Sequence, residues 1–128
     1  MLLVCRFRPD AWPDGPAALL ARARHALALL SARPGCLDAT LAQATDEPSA
    51  WLLVARFESV AAYRRALSPF EVREHVAPLL ADALADEPSV YEPRLHAEGG
   101  EVTEPTSMIA ADAGTVRLGE AAGPTTPR

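Results

Sequence analysis

The sequence predicts an α+β domain with the element order βαββαβ, and three observations lead to this prediction. Residues 2–8 and 50–58 alternate in hydropathy as strands do. Residues 17–32 instead place Leu and Ala at the spacing of one helix face. Clusters of Pro, Gly, Asp and Ser separate these segments, as is typical of turns. The alternation of strand and helix patterns favours one mixed domain.

The first strand and the first helix are joined by turn residues. Residues 2–8 form the strand, with an apolar and a partly basic face. In the turn that follows, Asp14 can cap a helix and Pro16 suits its first turn. The predicted apolar face of this helix consists of Leu19, Leu20, Ala23, Ala26, Leu27 and Leu30.

Two further strands follow Pro34-Gly35, which ends the first helix. Residues 36–45 form the second strand. Its predicted shared face consists of Leu37, Ala39 and Leu41. Residues 50–58 form the third strand, which is apolar on both faces. We therefore expect the third strand to be central in the sheet and covered on both sides.

The second half of the domain adds two helical stretches and a last strand. Ser59 can cap a short helix over residues 60–67. A helical stretch over residues 70–85 contains Pro78, which should kink or break it because proline cannot donate to the preceding turn. Residues 89–95 are predicted to form the fourth strand.

The order βαββαβ is that of the ferredoxin-like fold, a four-stranded antiparallel sheet with helices on one face. Since the third strand offers apolar side chains to both faces, the face without helices must also be buried. A two-fold partner packed sheet to sheet is the simplest cover, so we expect a homodimer.

The end of the chain differs in composition from the domain. From residue 97 onwards Gly, Pro, Thr, Ser and Glu dominate. Such a segment cannot bury enough apolar surface to form its own core. We expect a domain over residues 1–96 and a tail over residues 97–128 that is mostly disordered or draped on a partner.

Charge and motifs exclude several classes of function. A net charge of −5 argues against nucleic acid as a partner, because phosphate-binding surfaces are basic. No apolar run approaches the ~20 residues that span a membrane, and no signal-peptide pattern is present, so we expect a cytoplasmic protein. Phosphate-binding glycine loops and zinc spacings are absent. Cys5 and Cys36 lie on strands that are not adjacent in the expected sheet, so no disulfide is predicted.

Three segments of the chain resemble the antibiotic biosynthesis monooxygenase (ABM) family, a branch of the dimeric α/β-barrel superfamily. They are LLVCRFR at the start, ARPGCLDATLAQATDEPSAWLLVARFES in the middle and AAYRRALSPFEVREHVAPLLADAL after it. The resemblance covers residues 1–94 and implies that two subunits pair sheet to sheet as a dimeric α/β barrel. The family contains cofactor-independent oxygenases of aromatic polyketides, haem-degrading enzymes and members without a known activity.

The resemblance implies a monooxygenase-like protein that oxidises a small aromatic or polyketide-type molecule, such as a quinol or an anthrone. No flavin or metal cofactor is implied, because the deprotonated substrate supplies the electron to oxygen. The protein would then supply a dry cleft between helices and sheet with a base or hydrogen-bond partner for the phenol. The alternative is a non-catalytic binding or assembly module of the same fold. A cleft of roughly 300–1,000 Å³ with convergent polar groups favours the enzyme.

His75 and Tyr63 are the candidate catalytic residues. The segment SPFEVREH resembles the segment that ends in the haem-ligating histidine of the haem-degrading branch, and His75 lies at the edge of an apolar helical arc. The alternative is a surface or dimer-rim histidine paired with Glu71. That branch also has an Asn on the first strand and a Trp at the end of the third. This chain has no Asn, and Phe57 is nearest to the Trp position, which argues against haem.

The candidate substrate-binding residues are four aromatic side chains and one arginine: Trp51, Phe57, Phe70, Tyr91 and Arg56. Aromatic rings can stack on a flat substrate, and a strand arginine can hold an anionic phenolate. The alternative for all four rings is a place in the core. The alternative for Arg56 is an ion pair at the sheet interface, with Asp38, Glu58 or Glu92.

Overall fold

Residues 1–107 and residue 109 are described by a computed structural model of the chain. They fall into two units, Met1–Tyr91 and a second unit that begins at Glu92. The first unit carries the predicted βαββαβ domain. Within the described residues, no helix combines the length and the apolar character that crossing a membrane requires.

The sheet of the first unit has four antiparallel strands. They are β1 (Leu2–Phe7), β2 (Cys36–Gln43), β3 (Trp51–Phe57) and β4 (Val90–Tyr91). Their order across the sheet is β2-β3-β1-β4, so β3 is central as its two apolar faces predict. This order, with the connecting helices, confirms the predicted α+β ferredoxin-like fold.

The helices of the first unit are α1 (Gly15–Ser31), α2 (Val60–Ala66), α3 (Phe70–His75) and α4 (Ala77–Ala81). The core lies between these helices and one face of the sheet. There, every second strand residue is buried against helix residues that are three or four positions apart. The largest of these fully buried side chains are Phe7, Phe57, Leu3, Leu19, Leu30, Leu53, Leu79, Val72 and Val76.

The first helix differs from its prediction at two positions. The Asp14 side chain makes no capping hydrogen bond, and the helix begins at Gly15 with Pro16 in its first turn. Leu20, predicted on the apolar face, is 45% exposed. The inward positions are instead Leu19, Ala23, Ala26 and Leu30, at strict spacings of three and four residues.

The predicted helical stretch over residues 70–85 is two short helices that meet at Val76. Pro78 occupies the first turn of α4, where its missing N–H group has no helical acceptor to lose. The break lies before the proline, because the ring would clash with the carbonyl group one turn earlier in a continuous helix. Val76 remains buried at the break and joins the core.

The second strand contains an irregularity that the alternation pattern does not reveal. In its pairing with β3, Cys36 faces Phe57 and Asp38 faces Arg56, so Leu37 is an extra residue. Leu37 is therefore 53% exposed, and the prediction that it shares a face with Ala39 and Leu41 is wrong.

The fourth strand is much shorter than the predicted residues 89–95. Val90 and Tyr91 pair with Leu3 and Leu2 of β1. Pro93 follows two residues later and has no N–H group for a ladder. Residues 82–89, which connect α4 to β4, form a loop, so the prediction of a helix as far as residue 85 is wrong.

The second unit contains a hairpin that the composition does not predict. Its strands are β5 (His96–Glu98) and β6 (Glu101–Thr103), joined by Gly99-Gly100, both at positive φ. Two consecutive glycines suit a two-residue hairpin turn. Residue 108 and residues 110–128 of the predicted tail lie outside the described residues.

Candidate functional site

A cleft of about 370 Å³ lies between β1, α2, α4 and the loop 82–89. We call it the Tyr63 cleft. Most of its lining is apolar, contributed by Leu and Ala side chains of the last helix and the loop. The lining residues are Leu3, Cys5, Tyr63, Leu80, Ala81, Ala83, Leu84, Ala85, Glu87, Pro88 and Ser89. An apolar cavity with a few convergent polar groups is the usual form of a small-molecule site.

Tyr63 is held in the cleft by the start of α2 and by the core. The Ser59 hydroxyl accepts a hydrogen bond from the Ala62 N–H group at 3.0 Å, which confirms the predicted cap and fixes the first turn of the helix. The ring of Tyr63 packs edge to face against Phe57, with centroids 5.3 Å apart. Tyr63 is therefore positioned by packed neighbours on a regular helix.

Two buried or partly buried polar side chains of the cleft lining, Cys5 and Tyr63, are uncharged at neutral pH. Burial raises the pKa of the Cys5 thiol from 9.0 to about 11. Burial also raises the pKa of the Tyr63 phenol, and the charge that Cys5 acquires on ionisation raises it further. Tyr63 can thus donate a hydrogen bond to a ligand, whereas Cys5 behaves as a small apolar group.

One wall of the cleft is the loop 82–89, which is attached to β1 at three points. The Leu84 N–H group donates to the Arg6 carbonyl oxygen at 2.8 Å, and the Val4 N–H group donates to the Ser89 carbonyl oxygen at 2.7 Å. The Arg6 guanidinium also contacts Asp86 at 2.9 Å and Glu87 at 3.2 Å. Arg6 therefore holds the loop through both its backbone and its side chain.

His75 lies in a different cavity from Tyr63. It lines a groove of about 310 Å³ between α1 and α3, together with His25, Glu74 and Arg22. The rings of His25 and His75 are 4.3 Å apart between centroids, and His75 Nε2 lies 3.5 Å from the Glu74 carboxylate. The structure does not bring the two candidate catalytic residues into one site.

The candidate substrate-binding residues are dispersed, and the described lining of the Tyr63 cleft includes none of them. Trp51 and Phe57 are buried in the core. Phe70 is 68% exposed at the start of α3, so the alternative expectation of a core position is wrong for it. Tyr91 is 40% exposed on β4.

Arg56 lies on the sheet face opposite the helices, where it forms a bidentate ion pair with Asp38. The two closest N–O distances are 2.7 and 3.1 Å. The hydrogen bond from Arg56 lowers the pKa of the Asp38 carboxyl group. This is the ion pair that the sequence offered as the alternative to phenolate binding.

The same sheet face carries a smaller apolar pocket of about 240 Å³. Arg6 and Arg8 lie among its lining residues with Leu52 and Trp51. The buried Nε1 atom of Trp51 has no hydrogen-bond partner among the described residues. Arg8 is itself paired with Glu47, so neither guanidinium is free of a carboxylate.

The residues that sequence reasoning missed are Cys5, Glu87 and the apolar loop before it. The sequence placed Cys5 on the inner face of β1, but nothing in it indicated a cavity there. The sequence predicts residues 83–85 as the end of the helical stretch 70–85 and residues 86–89 as a turn. The contacts that hold this loop on β1 join residues far apart in the chain, and no local pattern reveals them.

The described residues offer no cluster for a metal ion, and the described lining of the cleft offers no histidine for a haem. No group of three or more His, Cys, Asp or Glu side chains among residues 1–107 and 109 is placed to hold a metal ion. The described lining of the Tyr63 cleft contains no histidine. The residues of this cleft therefore do not fit a histidine-ligated haem.

The fold is that of a ferredoxin-like domain, and the Tyr63 cleft is its candidate site for a small molecule. The chain belongs to the antibiotic biosynthesis monooxygenase family, which it matches over residues 3–78, more than half of its length. This match confirms the resemblance seen in the sequence. No functionally curated protein matches the chain.

Three solved structures illustrate the similarity. SnoaB, a cofactor-independent oxygenase from Streptomyces nogalater, is similar with a TM-score of 0.55 and 24% identity, covering 65% of this chain and 82% of that chain. Rv0793 from Mycobacterium tuberculosis has a TM-score of 0.54 and 21% identity, covering 86% and 96%. A Chloroflexus aurantiacus J-10-fl protein described under the same family has a TM-score of 0.51 and 25% identity, covering 85% and 95%. At such identities SnoaB and Rv0793 support the fold alone.

Proposed function

We propose that this protein is a cofactor-independent monooxygenase that oxidises a small aromatic molecule of the quinol or anthrone type. The observation that carries the proposal is the Tyr63 cleft, a cavity of about 370 Å³ with a mostly apolar lining that includes the Tyr63 phenol. Membership of the monooxygenase family supports the reaction type. The size of the cleft falls in the range of small-molecule sites.

The proposed reaction is balanced without a cofactor. An anthrone reacts with O₂ to give an anthraquinone and water: the ring methylene becomes a carbonyl group and loses four electrons. The O₂ molecule accepts these four electrons. One of its atoms enters the new carbonyl group, and the other leaves as water with the two methylene hydrogens. The reaction begins when the substrate loses a proton and becomes electron-rich enough to reduce O₂.

The protein contributes position, hydrogen bonding and the exclusion of water. The Tyr63 hydroxyl donates a hydrogen bond to the substrate oxygen as negative charge develops there. The Leu3, Leu80 and Leu84 side chains form an apolar surround that strengthens this hydrogen bond and protects the reduced substrate from side reactions.

We propose in addition that the protein is a homodimer joined through the sheet face opposite the helices. On that face Val4, Leu52 and Val54 are half-buried apolar side chains on neighbouring strands, with Val4 directly opposite Val54. Ion pairs flank this stripe, among them Arg56 with Asp38. A self-complementary patch with an apolar centre and a charged rim suits a two-fold interface.

Oxygen uptake tests the proposed activity. Wild-type protein is mixed with a panel of anthrones and naphthoquinols, and uptake is compared with the uncatalysed rate in the presence and absence of a chelator. We expect catalysed uptake that the chelator leaves unchanged. Substrate binding without uptake across the panel would instead identify a non-catalytic binding module.

Two variants assign the site within an active protein. Tyr63→Phe should lower turnover about tenfold or more, because one hydrogen bond to the developing oxyanion is lost. His75→Ala tests the histidine proposed from the sequence. If His75 is the base, its removal lowers turnover at least as much. If the Tyr63 cleft acts alone, His75→Ala keeps the wild-type rate.

A further inference from the structure

The described ionisable side chains that line the Tyr63 cleft are Cys5, Tyr63 and Glu87. The first two are uncharged at neutral pH for the reasons given above. Glu87 differs from them because its side chain is 57% exposed and forms an ion pair with Arg6 at 3.2 Å. It is therefore the negatively charged group of the described lining, and the same lining contains no cation.

We propose that Glu87 is the general base of the cleft, that Arg6 positions it, and that the cleft takes phenols in their unionised form. This inference rests on the proposed function and adds to it a base and a substrate class. A neutral phenol can donate its O–H group to the Glu87 carboxylate. A phenolate or a carboxylate ligand would be repelled, because the one Arg6 guanidinium is shared by two carboxylates, Asp86 and Glu87, and a net negative charge remains beside the cleft.

The proposed step is a proton transfer. The phenol O–H bond breaks, and the proton bonds to a carboxylate oxygen of Glu87, which becomes a neutral carboxylic acid. Both electrons of the broken bond stay on the substrate oxygen, so the substrate becomes a phenolate and nothing is oxidised in this step. The phenolate then passes electrons to O₂, and Glu87 returns its proton when water forms.

Arg6 is a positioning residue in this proposal. Its backbone carbonyl group anchors the loop at Leu84, and its guanidinium contacts Glu87 from β1, a strand of the sheet. A carboxylate on a loop needs such an anchor to stay within hydrogen-bond reach of a substrate. The competing explanation is that the ion pair with Glu87 only fastens the loop.

Asp86 provides the matched control, because its carboxylate contacts the same guanidinium at 2.9 Å but is not part of the cleft lining. We expect Glu87→Gln to lower kcat for oxygen uptake about 100-fold with little change in KM. Asp86→Asn should stay within about twofold of wild type, since surface ion pairs contribute little. Equal losses in the two variants would identify a fastening role and overturn the proposal.

The acidity of the substrate gives a second readout. With a phenol acidic enough to be ionised in the assay buffer, no proton remains to be removed. The loss of kcat in Glu87→Gln should then be only a few-fold. A deficit of the same size with both kinds of phenol would contradict the assignment of Glu87 as a base.

The choice of phenol also tests Arg6. Replacing Arg6 with Gln removes the contact that holds Glu87, so kcat should fall with an unionised phenol and much less with a phenol that is already ionised. Arg6→Lys should restore part of the rate because it keeps the charge. An equal loss with both kinds of phenol would show that Arg6 only fastens the loop and would overturn the positioning role.

A binding measurement shows whether the role of Glu87 or the oxygenase activity itself is wrong. The probe is 4-nitrophenol, titrated below and above the pH at which its hydroxyl ionises. Wild-type affinity should fall about tenfold on ionisation of the probe, whereas Glu87→Gln should bind both forms alike. This pattern without oxygen uptake supports the neutral-phenol site and rejects the oxygenase. Oxygen uptake at the same rate in wild type and in Glu87→Gln supports the oxygenase and rejects Glu87 as the base.

Discussion

Gly35 lies so close to α2 that a β-carbon on it would be 2.6 Å from the β-carbon of Ala62. Gly35 also has a φ of +88°, and its carbonyl oxygen accepts a hydrogen bond from Glu58. This contact fixes where the chain leaves α1 relative to the helix that carries Tyr63. The glycine is thus required both by its backbone conformation and by its neighbour.

Gly35→Ala should lower the free energy of unfolding by more than about 2 kcal/mol, because it combines backbone strain with a steric clash. Gly15→Ala is the control: Gly15 also has a positive φ, of 66°, but no atom within 4 Å of its added β-carbon. We expect Gly15→Ala to cost about 1 kcal/mol, the strain alone. Urea denaturation measures the free energy of unfolding of both variants. Equal losses would show that α2 can move away from the added β-carbon.

The Cys5 thiol makes stability depend on pH in the alkaline range. Its folded-state pKa of about 11 lies above the ordinary value of 9.0, so the folded protein keeps the proton longer than the unfolded chain. The stability from this group is fully present below pH 9 and is lost as the pH rises through about 11. The loss should reach about 2–3 kcal/mol.

Denaturation curves across this alkaline range test the expectation. Cys5→Ala should flatten the decline, although it removes some packing at all pH values. Cys36→Ala serves as the comparison, because Cys36 is only partly buried on β2. An unchanged slope in Cys5→Ala would assign the pH dependence to other groups, such as Tyr63.

The proposed dimer makes Val54 a sensitive position. Val54→Asp places an unpaired charge in the centre of the apolar stripe and should weaken the dimer by about 3 kcal/mol or more. Sedimentation equilibrium at micromolar concentration should give about twice 13.6 kDa for wild type and a lower average mass for the variant. Ala28→Asp, on the exposed side of α1, should behave as wild type. A monomeric wild type would refute the interface.

The buried residues of the described core run from Leu3 to Leu79, and Leu80 and Ala83 pack against it, so this core ends before residue 84. A chain that ends at residue 96 loses the β5–β6 hairpin and everything after it, and should still unfold cooperatively. Its melting temperature should lie within about 10 °C of that of the full chain. A larger decrease in calorimetry would show that the tail stabilises the domain.

The sequence predicted the features that depend on periodicity. The four strands of the sheet and their order along the chain follow from the alternation of hydropathy. The cap at Ser59 follows from a hydroxyl group placed just before a helical pattern. The extra residue Leu37 could not be predicted, because it breaks the alternation without a glycine or proline to mark it.

The candidate site was harder to predict than the fold because it depends on contacts between distant segments. His75 has the chemistry of a base, but its helix turns it towards His25 on α1. Glu87 reaches the cleft because Val4 and Arg6, far away in sequence, hold its loop. Residue chemistry can be read from a sequence, whereas such a convergence is a property of tertiary structure.

The wall that residues 82–89 give to the Tyr63 cleft belongs to neither the sheet nor a helix. Loops outside the regular elements tolerate insertions and substitutions that a core does not. Mutation can therefore reshape this wall while leaving the packing of β1, α1 and β3 intact. Divergent selection on one short loop is enough to give descendants of this chain different ligands on the same scaffold.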